Sequence, residues 1–190
     1  MKKRYRIDKV ITKMGDKGKT SLIGEKQVWK DSPRIRCLGE IDELNSVLGM
    51  ALHTIQHSLL KERIQRVQEE LFIAGADVAT PRDPAVRVSP QFVETLEQEC
   101  AEWISRLPPL KEFVIPGGSE GGAFLFWARA ICRRVERSIV SLHRKTPVNP
   151  YLLAYFNRLS DWLFLAARAE NAYLHIPEHL MKFFERGGEK

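Results

Sequence analysis

Beyond residue 33, apolar side chains recur at the three-to-four-residue spacing of amphipathic helices. "GEIDELNSVLGMALHTIQ" sets Ile41, Leu44, Leu48 and Leu52 on one face, with Glu40, Asp42 and Glu43 expected in its first turn, where the helix dipole favours acids. "LLKERIQRVQEELFIAGADVA" repeats the pattern at Leu60, Ile64, Val67 and Leu71. Ser89-Pro90 reads as an N-cap with proline at the first helical position, ahead of Phe92, Leu96, Trp103 and Leu107. A fourth helix is predicted from Ser119 to His143, with Phe124, Trp127, Ile131, Val135 and Leu142 as its apolar line. Asn149-Pro150 opens a fifth through Leu152, Phe156, Leu159, Leu163 and Ala166. Two links, "ATPRDPAVRV" and "RLPPLKEFVIPGGSEGG", are punctuated by Pro and Gly. Long amphipathic helices joined this way predict an all-α fold, a five-helix bundle in one domain over residues 1–190. Residues 1–33 form a basic N-terminal arm closed by Pro33, residues 34–175 the bundle, and residues 176–190 a tail expected to fray.

The arm changes the picture because it holds "TKMGDKGKTS", with three lysines, two glycines and two threonines in ten residues. It is not a P-loop. That motif places four residues between its first Gly and Gly-Lys-Ser/Thr, whereas only Asp16 and Lys17 separate Gly15 from Gly18 here. A P-loop also follows a buried strand and opens a helix, and the charged flanks here do neither. The chemistry still suits phosphate, because glycines admit backbone N–H groups to an anion while lysines and hydroxyls donate to it. A flexible basic arm with no ligand is the other reading. The formal net charge of +6 favours anionic partners weakly.

Three scattered cysteines, Cys37, Cys100 and Cys132, argue against a disulfide framework and for a reducing compartment. "MKKRYRIDKVITK" lacks the apolar core of a signal peptide, and no run reaches the ~18 apolar residues of a membrane span. A cytoplasmic protein without a membrane anchor is the expectation.

Polar residues inside the helices are the next signal. Arg129, Arg133 and Glu136 share one face of the fourth helix, flanked by Arg134 and Arg137. Asn157 and Asp161 lie four apart in a helix otherwise rich in apolar residues. A solvated charged face and a bundle-internal hydrogen bond compete here with a ligand site. His53 and His57 have the spacing of a zinc helix but lack the following glutamate, and Pro177 interrupts His175 and His179, so no protein-held metal is expected. Cys132 stands beside arginines, but with no histidine base nearby it reads as a small buried residue.

Four motifs in order, "TKMGDKGKTSLIG", "GEIDELNSVLG", "FVIPGGSEGGAFLFWARAICRRVERSIV" and "NRLSDWLFLAAR", closely resemble the PduO-type ATP:cob(I)alamin adenosyltransferases, over about Tyr5 to Tyr173. The resemblance implies a five-helix bundle assembled as a homotrimer with active sites between subunits. It implies transfer of the 5′-deoxyadenosyl group of ATP to the cobalt of cob(I)alamin, with Mg²⁺ arriving on the ATP. The arm becomes a nucleotide-binding loop in which Thr12, Lys13, Gly15, Gly18, Thr20 and Ser21 wrap the triphosphate, with Lys30 as a further contact. Arg133 and Glu136 hold the nucleotide from the adjacent subunit, and Asn157 contacts it from the last helix. Asp42 and Arg129 match a charge pair that bridges subunits, and Phe113 matches an aromatic residue under the corrin ring. From the residues alone, Phe113 reads as a core anchor at a helix entrance. A reductase and a cobalamin-dependent enzyme are the implied partners on either side of the reaction.

Such a reaction needs no nucleophile from the protein, since cob(I)alamin is one, and this accounts for the lack of a Ser/His or paired-acid constellation. Two other classes compete. A phosphoryl-transfer enzyme would need a base or metal-binding acid near the loop, where Asp16 is the local candidate, and would release ADP or AMP instead of triphosphate. A helical scaffold binding nucleic acid would show steep salt dependence. The arm's only aromatics, Tyr5 and Trp29, give little base stacking, so no nucleic-acid partner is expected.

Overall fold

The computed structural model describes residues 11, 13–22, 25–80 and 87–181. Five helices form: α1 (Pro33–Thr54), α2 (Ser58–Ala79), α3 (Pro90–Arg106), α4 (Glu120–His143) and α5 (Pro150–Tyr173). α4 lies between α1 and α5, α2 covers α1, and α3 covers α5. The predicted apolar faces meet in this core: Ile41, Leu44, Leu48, Leu60, Ile64, Val67, Leu71, Leu96, Ile131, Val135, Leu152, Phe156, Leu159 and Leu163 are all buried. Trp127 is an exception at 49% exposure. The buried line of α4 runs instead through Leu125, Ala128, Ile131, Cys132, Val135, Ile139 and Leu142, which leaves the Trp127 face outside.

The helix starts follow local chemistry. Asn149 caps α5 by accepting from the Tyr151 N–H, and Ser119 caps α4 by accepting from Gly122. Ser89 occupies the N-cap of α3 without a side-chain cap bond, and Pro90 supplies the fixed φ. α1 begins at Pro33, earlier than its apolar pattern suggested, because the proline is its first residue and not a terminator. Its first turn therefore holds no acid, and Glu40, Asp42 and Glu43 lie further along. Glu43 pairs with Arg134 across α1 and α4, so part of the charged run on α4 is spent inside the chain.

The arm holds a structure that its sequence did not announce. β1 (Lys19–Leu22) and β2 (Glu25–Trp29) pair antiparallel, Lys19 opposite Trp29 and Thr20 opposite Val28, with a bulge between Thr20 and Leu22. The start of the tail is held as far as it is described, while residues 182–190, the rest of the end expected to fray, lie outside the described residues. Val114 and Leu180 form an antiparallel bridge, and Ile176 N–H donates to the Asn171 carbonyl at 2.9 Å.

A polar network ties α2, α3 and α5 together. The Tyr155 hydroxyl donates to Glu70 at 2.8 Å, Trp162 Nε1 donates to Glu99 at 2.7 Å, and Arg66 reaches both acids, at 3.6 and 2.9 Å. Burial pushes the Glu70 carboxyl above its ordinary value, against the pull of Arg66. All three cysteines are free and buried. Cys132 donates to the Phe156 carbonyl at 3.4 Å, and burial raises its thiol well above the usual range. That environment suits packing and not nucleophilic chemistry.

Candidate functional site

The nucleotide-loop candidates stand in a tight basic turn ahead of β1. Gly18 N–H donates to the Gly15 carbonyl at 3.1 Å, and Lys30 N–H donates to the Gly18 carbonyl at 3.0 Å. Gly18 has φ +75° and Lys13 φ +57°, so both lie in the left-handed region. That is ordinary for Gly18 and a held, unfavourable conformation for Lys13. A Cβ on Gly15 would come within 2.8 Å of Lys30 Nζ, so the Lys30 ammonium closes directly over this glycine. Lys30 was placed with the loop on resemblance alone, and the fold brings it there. Lys19 lies over the Trp29 ring at 4.7 Å, a cation–π contact that sequence reading missed because it arises from strand pairing. Thr20 is half-buried on β1, Ser21 is exposed at the bulge, and Thr12 lies outside the described residues.

A second group lies on α4 and α5. Asn157 Nδ2 donates to Glu136 Oε1 at 3.0 Å, joining two candidates from different helices, and Arg133 is exposed beside them. Asp161 is taken by Arg158 at 2.8 Å.

The third group surrounds a cavity of about 630 Å³ between the loop before α4 and the sides of α4 and α5. Phe113, Val114, Pro116, Phe126, Phe164 and Leu165 supply an apolar wall, and Lys111, Glu112, Arg129 and Asp161 the polar rim. Phe113 is 73% exposed, so it is no core anchor. The Arg129 guanidinium lies over the Phe164 ring at 5.5 Å, while its buried Nε lacks a hydrogen-bond partner among the described residues. Asp42 does not supply one within the chain. It is exposed on α1 and lines a separate groove with Leu38, Asn45 and Phe72.

The loop carrying Phe113 is clamped by the last turns of α5. Asn171 Oδ1 accepts from the Ser119 N–H and hydroxyl, both at 2.8 Å, and its Nδ2 donates to the Gly117 carbonyl at 3.1 Å. Gly118 has φ +96°, and a Cβ there would meet Asn171 Nδ2 at 2.3 Å. Gly118→Ala is therefore expected to cost about 3 kcal/mol or more, from left-handed strain plus a collision with a hydrogen-bonded amide. Gly39→Ala, with nothing within 4 Å of its added methyl, serves as the control in denaturant unfolding and is expected to be neutral or stabilising.

His57 caps α2 by accepting from the Leu60 N–H through Nδ1, which gives it a structural role. Among the described residues no group of three or more His, Cys, Asp or Glu side chains is arranged to hold a metal ion, and no helix is long and apolar enough to cross a membrane.

Residues 10–170 match the family model of cobalamin adenosyltransferases. The chain is 39% identical over 169 residues to a corrinoid adenosyltransferase of Bacillus subtilis, covering 86% of this chain and 87% of that one. It is 34% identical over 181 residues to corrinoid adenosyltransferase PduO of Citrobacter freundii, covering 93% of this chain and 54% of that longer protein. Its fold superposes with a TM-score of 0.88 on a phenylalanine-to-alanine variant of the PduO-type ATP:corrinoid adenosyltransferase from Lactobacillus reuteri, complexed with cobalamin and ATP. That pair is 36% identical, and the match covers 92% of this chain and 100% of the other.

Proposed function

The chain belongs to the cobalamin adenosyltransferase family, and we propose that its basic loop and its α4–α5 face are two halves of one ATP:corrinoid active site. The reaction is transfer of the 5′-deoxyadenosyl group of ATP to the cobalt of cob(I)alamin. The cobalt electron pair forms the Co–C5′ bond, the C5′–O bond breaks, and its electrons leave on triphosphate. No proton moves in that displacement, so Glu136 orients groups instead of acting as a base.

The observation that carries this reading is the pairing of an open apolar cavity beside an exposed Phe113 with a separate loop over which Lys30 closes. The cavity suits a large planar macrocycle, and the loop suits polyphosphate. Lys13, Lys30, Thr20, Ser21 and the backbone around Gly15 and Gly18 hold the triphosphate, with Thr12 extending the same run. Arg133, Glu136 and Asn157 fix the nucleotide, and Arg133 meets charge growing on the leaving group. The loop's donors are mainly ammonium and hydroxyl groups, which fit the phosphates of a magnesium–ATP complex better than a bare ion. When bound on ATP, Mg²⁺ neutralises part of the phosphate charge.

A homotrimer joins the halves, with the loop of one chain meeting the α4–α5 face of its neighbour. Phe72, 73% exposed in the groove with Asp42, and Trp127 give such an interface apolar surface. The protein works in the cytoplasm, between a reductase that supplies the electron and a cobalamin-dependent enzyme that takes the product. The deciding experiment mixes the protein with ATP, Mg²⁺ and chemically reduced cobalamin under anaerobic conditions. Conversion of the visible spectrum to adenosylcobalamin, with triphosphate released, is expected; no conversion overturns the reading.

Lys13→Ala and Thr20→Ala are each expected to raise the KM for ATP about tenfold or more, the effect of losing about 1.4 kcal/mol of binding. Both sit outside the bundle core, so unfolding free energy should move by no more than about 0.5 kcal/mol. Normal ATP kinetics with a large stability loss would reverse the assignment.

A further inference from the structure

Arg168, near the end of α5, is 5% exposed, and its hydrogen bonds go to Glu178 and the Pro108 carbonyl. Its Nε and Nη2 grip both oxygens of Glu178, Nη2 to Oε2 at 3.1 Å, and Nη2 also donates to the Pro108 carbonyl at 2.8 Å. Each partner controls one approach to Phe113. Pro108 begins the segment that leads to it. Glu178 stands next to the bridged segment that holds it: Met181 N–H donates to the Phe113 carbonyl at 2.7 Å, and Ile115 N–H to the His179 carbonyl at 2.8 Å. Arg168, Glu178, the 179–181 segment, Phe113 and Pro108 thus form a closed ring of contacts. The arginine also lies over Phe164, a wall of the cavity, at 6.0 Å.

We propose that Arg168 is a positioning residue for the corrin site, using Glu178 and Pro108 to fix the backbone from which Phe113 projects over the cavity. This rests on the functional reading above and extends it to a residue outside the ligand shell. The course of the backbone sets where an exposed side chain on a loop can reach, and a bidentate guanidinium fork supplies fixed geometry where a single ammonium would not. A purely structural Arg168 would stabilise the fold and affect every assay alike.

The test compares wild type, Arg168→Met, Arg168→Lys and Phe113→Ala, each assayed from cob(II)alamin with a mild reductant and from ready-made cob(I)alamin. Arg168→Met should lose about tenfold or more from cob(II)alamin and no more than about twofold from cob(I)alamin, with KM for ATP unchanged. Arg168→Lys, which keeps the charge without the fork, should recover only part of that loss. In the Phe113→Ala background, Arg168→Met should add nothing further, because both act through one ring. Glu178→Ala breaks the same latch from outside the bundle, and its split between the two assays decides the matter should Arg168→Met fail to fold. Equal losses in both assays, or additive losses with Phe113→Ala, would overturn the proposal. An inactive wild type would instead overturn the functional reading on which it rests.

Discussion

Phe113→Ala is expected to slow turnover from cob(II)alamin with a mild reductant by about a hundredfold, some 2.7 kcal/mol of barrier. The same variant should lose less than about tenfold when cob(I)alamin is supplied directly. The difference follows from what an exposed phenyl ring can do at the lower face of a corrin. Cobalamin carries a lower axial ligand that donates electron density to cobalt and makes reduction to Co(I) harder. A ring packed under the macrocycle displaces that ligand without replacing it, because phenyl has no lone pair to donate. The four-coordinate Co(II) centre then accepts an electron more readily, whereas the later displacement on ATP does not need the ring. Phe113→His should also fail from cob(II)alamin, since imidazole can coordinate the metal. Exposure of 73% means that removing the ring leaves no core cavity, so the melting temperature should hardly move. Equal losses in the two assays with a lowered melting temperature would make Phe113 a packing residue.

The helices were legible because each turns one continuous apolar face to the core, and period is the signal that burial writes into a sequence. Trp127 was misplaced because the true line of α4 uses small residues, Ala128 and Cys132, where α5 packs close. The hairpin was illegible for a different reason. Its strands are only four and five residues long, are rich in charge, and gain stability from pairs such as Lys19 on Trp29 that exist only after pairing. The loop candidates could be grouped by residue type, but not the closure of Lys30 over Gly15, fifteen residues away. Least visible was the support of the Phe113 loop. Arg168 and Asn171 look like ordinary residues at the end of a helix, and only the fold brings them to carbonyl groups sixty and fifty-four positions distant. The Asn157–Glu136 bond lies between these cases: Asn157 stands out as polar in an apolar helix and Glu136 belongs to a charged run on α4, but only the fold shows that the two meet, at an exposed position.

Asp42→Asn and Arg129→Ala are each expected to lower activity by about thirtyfold or more, and the double variant should fall well short of the product of the two losses. Within one chain the two residues line different grooves, so any coupling between them would have to be made by a neighbouring copy. Two observations support that arrangement. The Arg129 Nε is buried without an acceptor among the described residues, a costly state for a guanidinium group. Asp42 is an exposed acid beside the exposed Phe72, on surface that an adjoining subunit would cover. Bringing the acid to the arginine would supply the missing acceptor and fix Arg129 against Phe164 at the rim of the Phe113 cavity. With the pair made across such an interface, removing either partner would leave the other charge uncompensated, while removing both would leave none, and this would be the source of the non-additivity. Asp161, which with Glu112 is one of two acids lining the cavity beside Arg129, is the internal control. It is already paired with Arg158, so Asp161→Asn should add to Arg129→Ala without coupling. Steady-state kinetics on the full cycle, read with the sedimentation behaviour of each variant, separates loss of assembly from loss of the site. Strictly additive losses for Asp42 and Arg129 would show that the two residues do not meet.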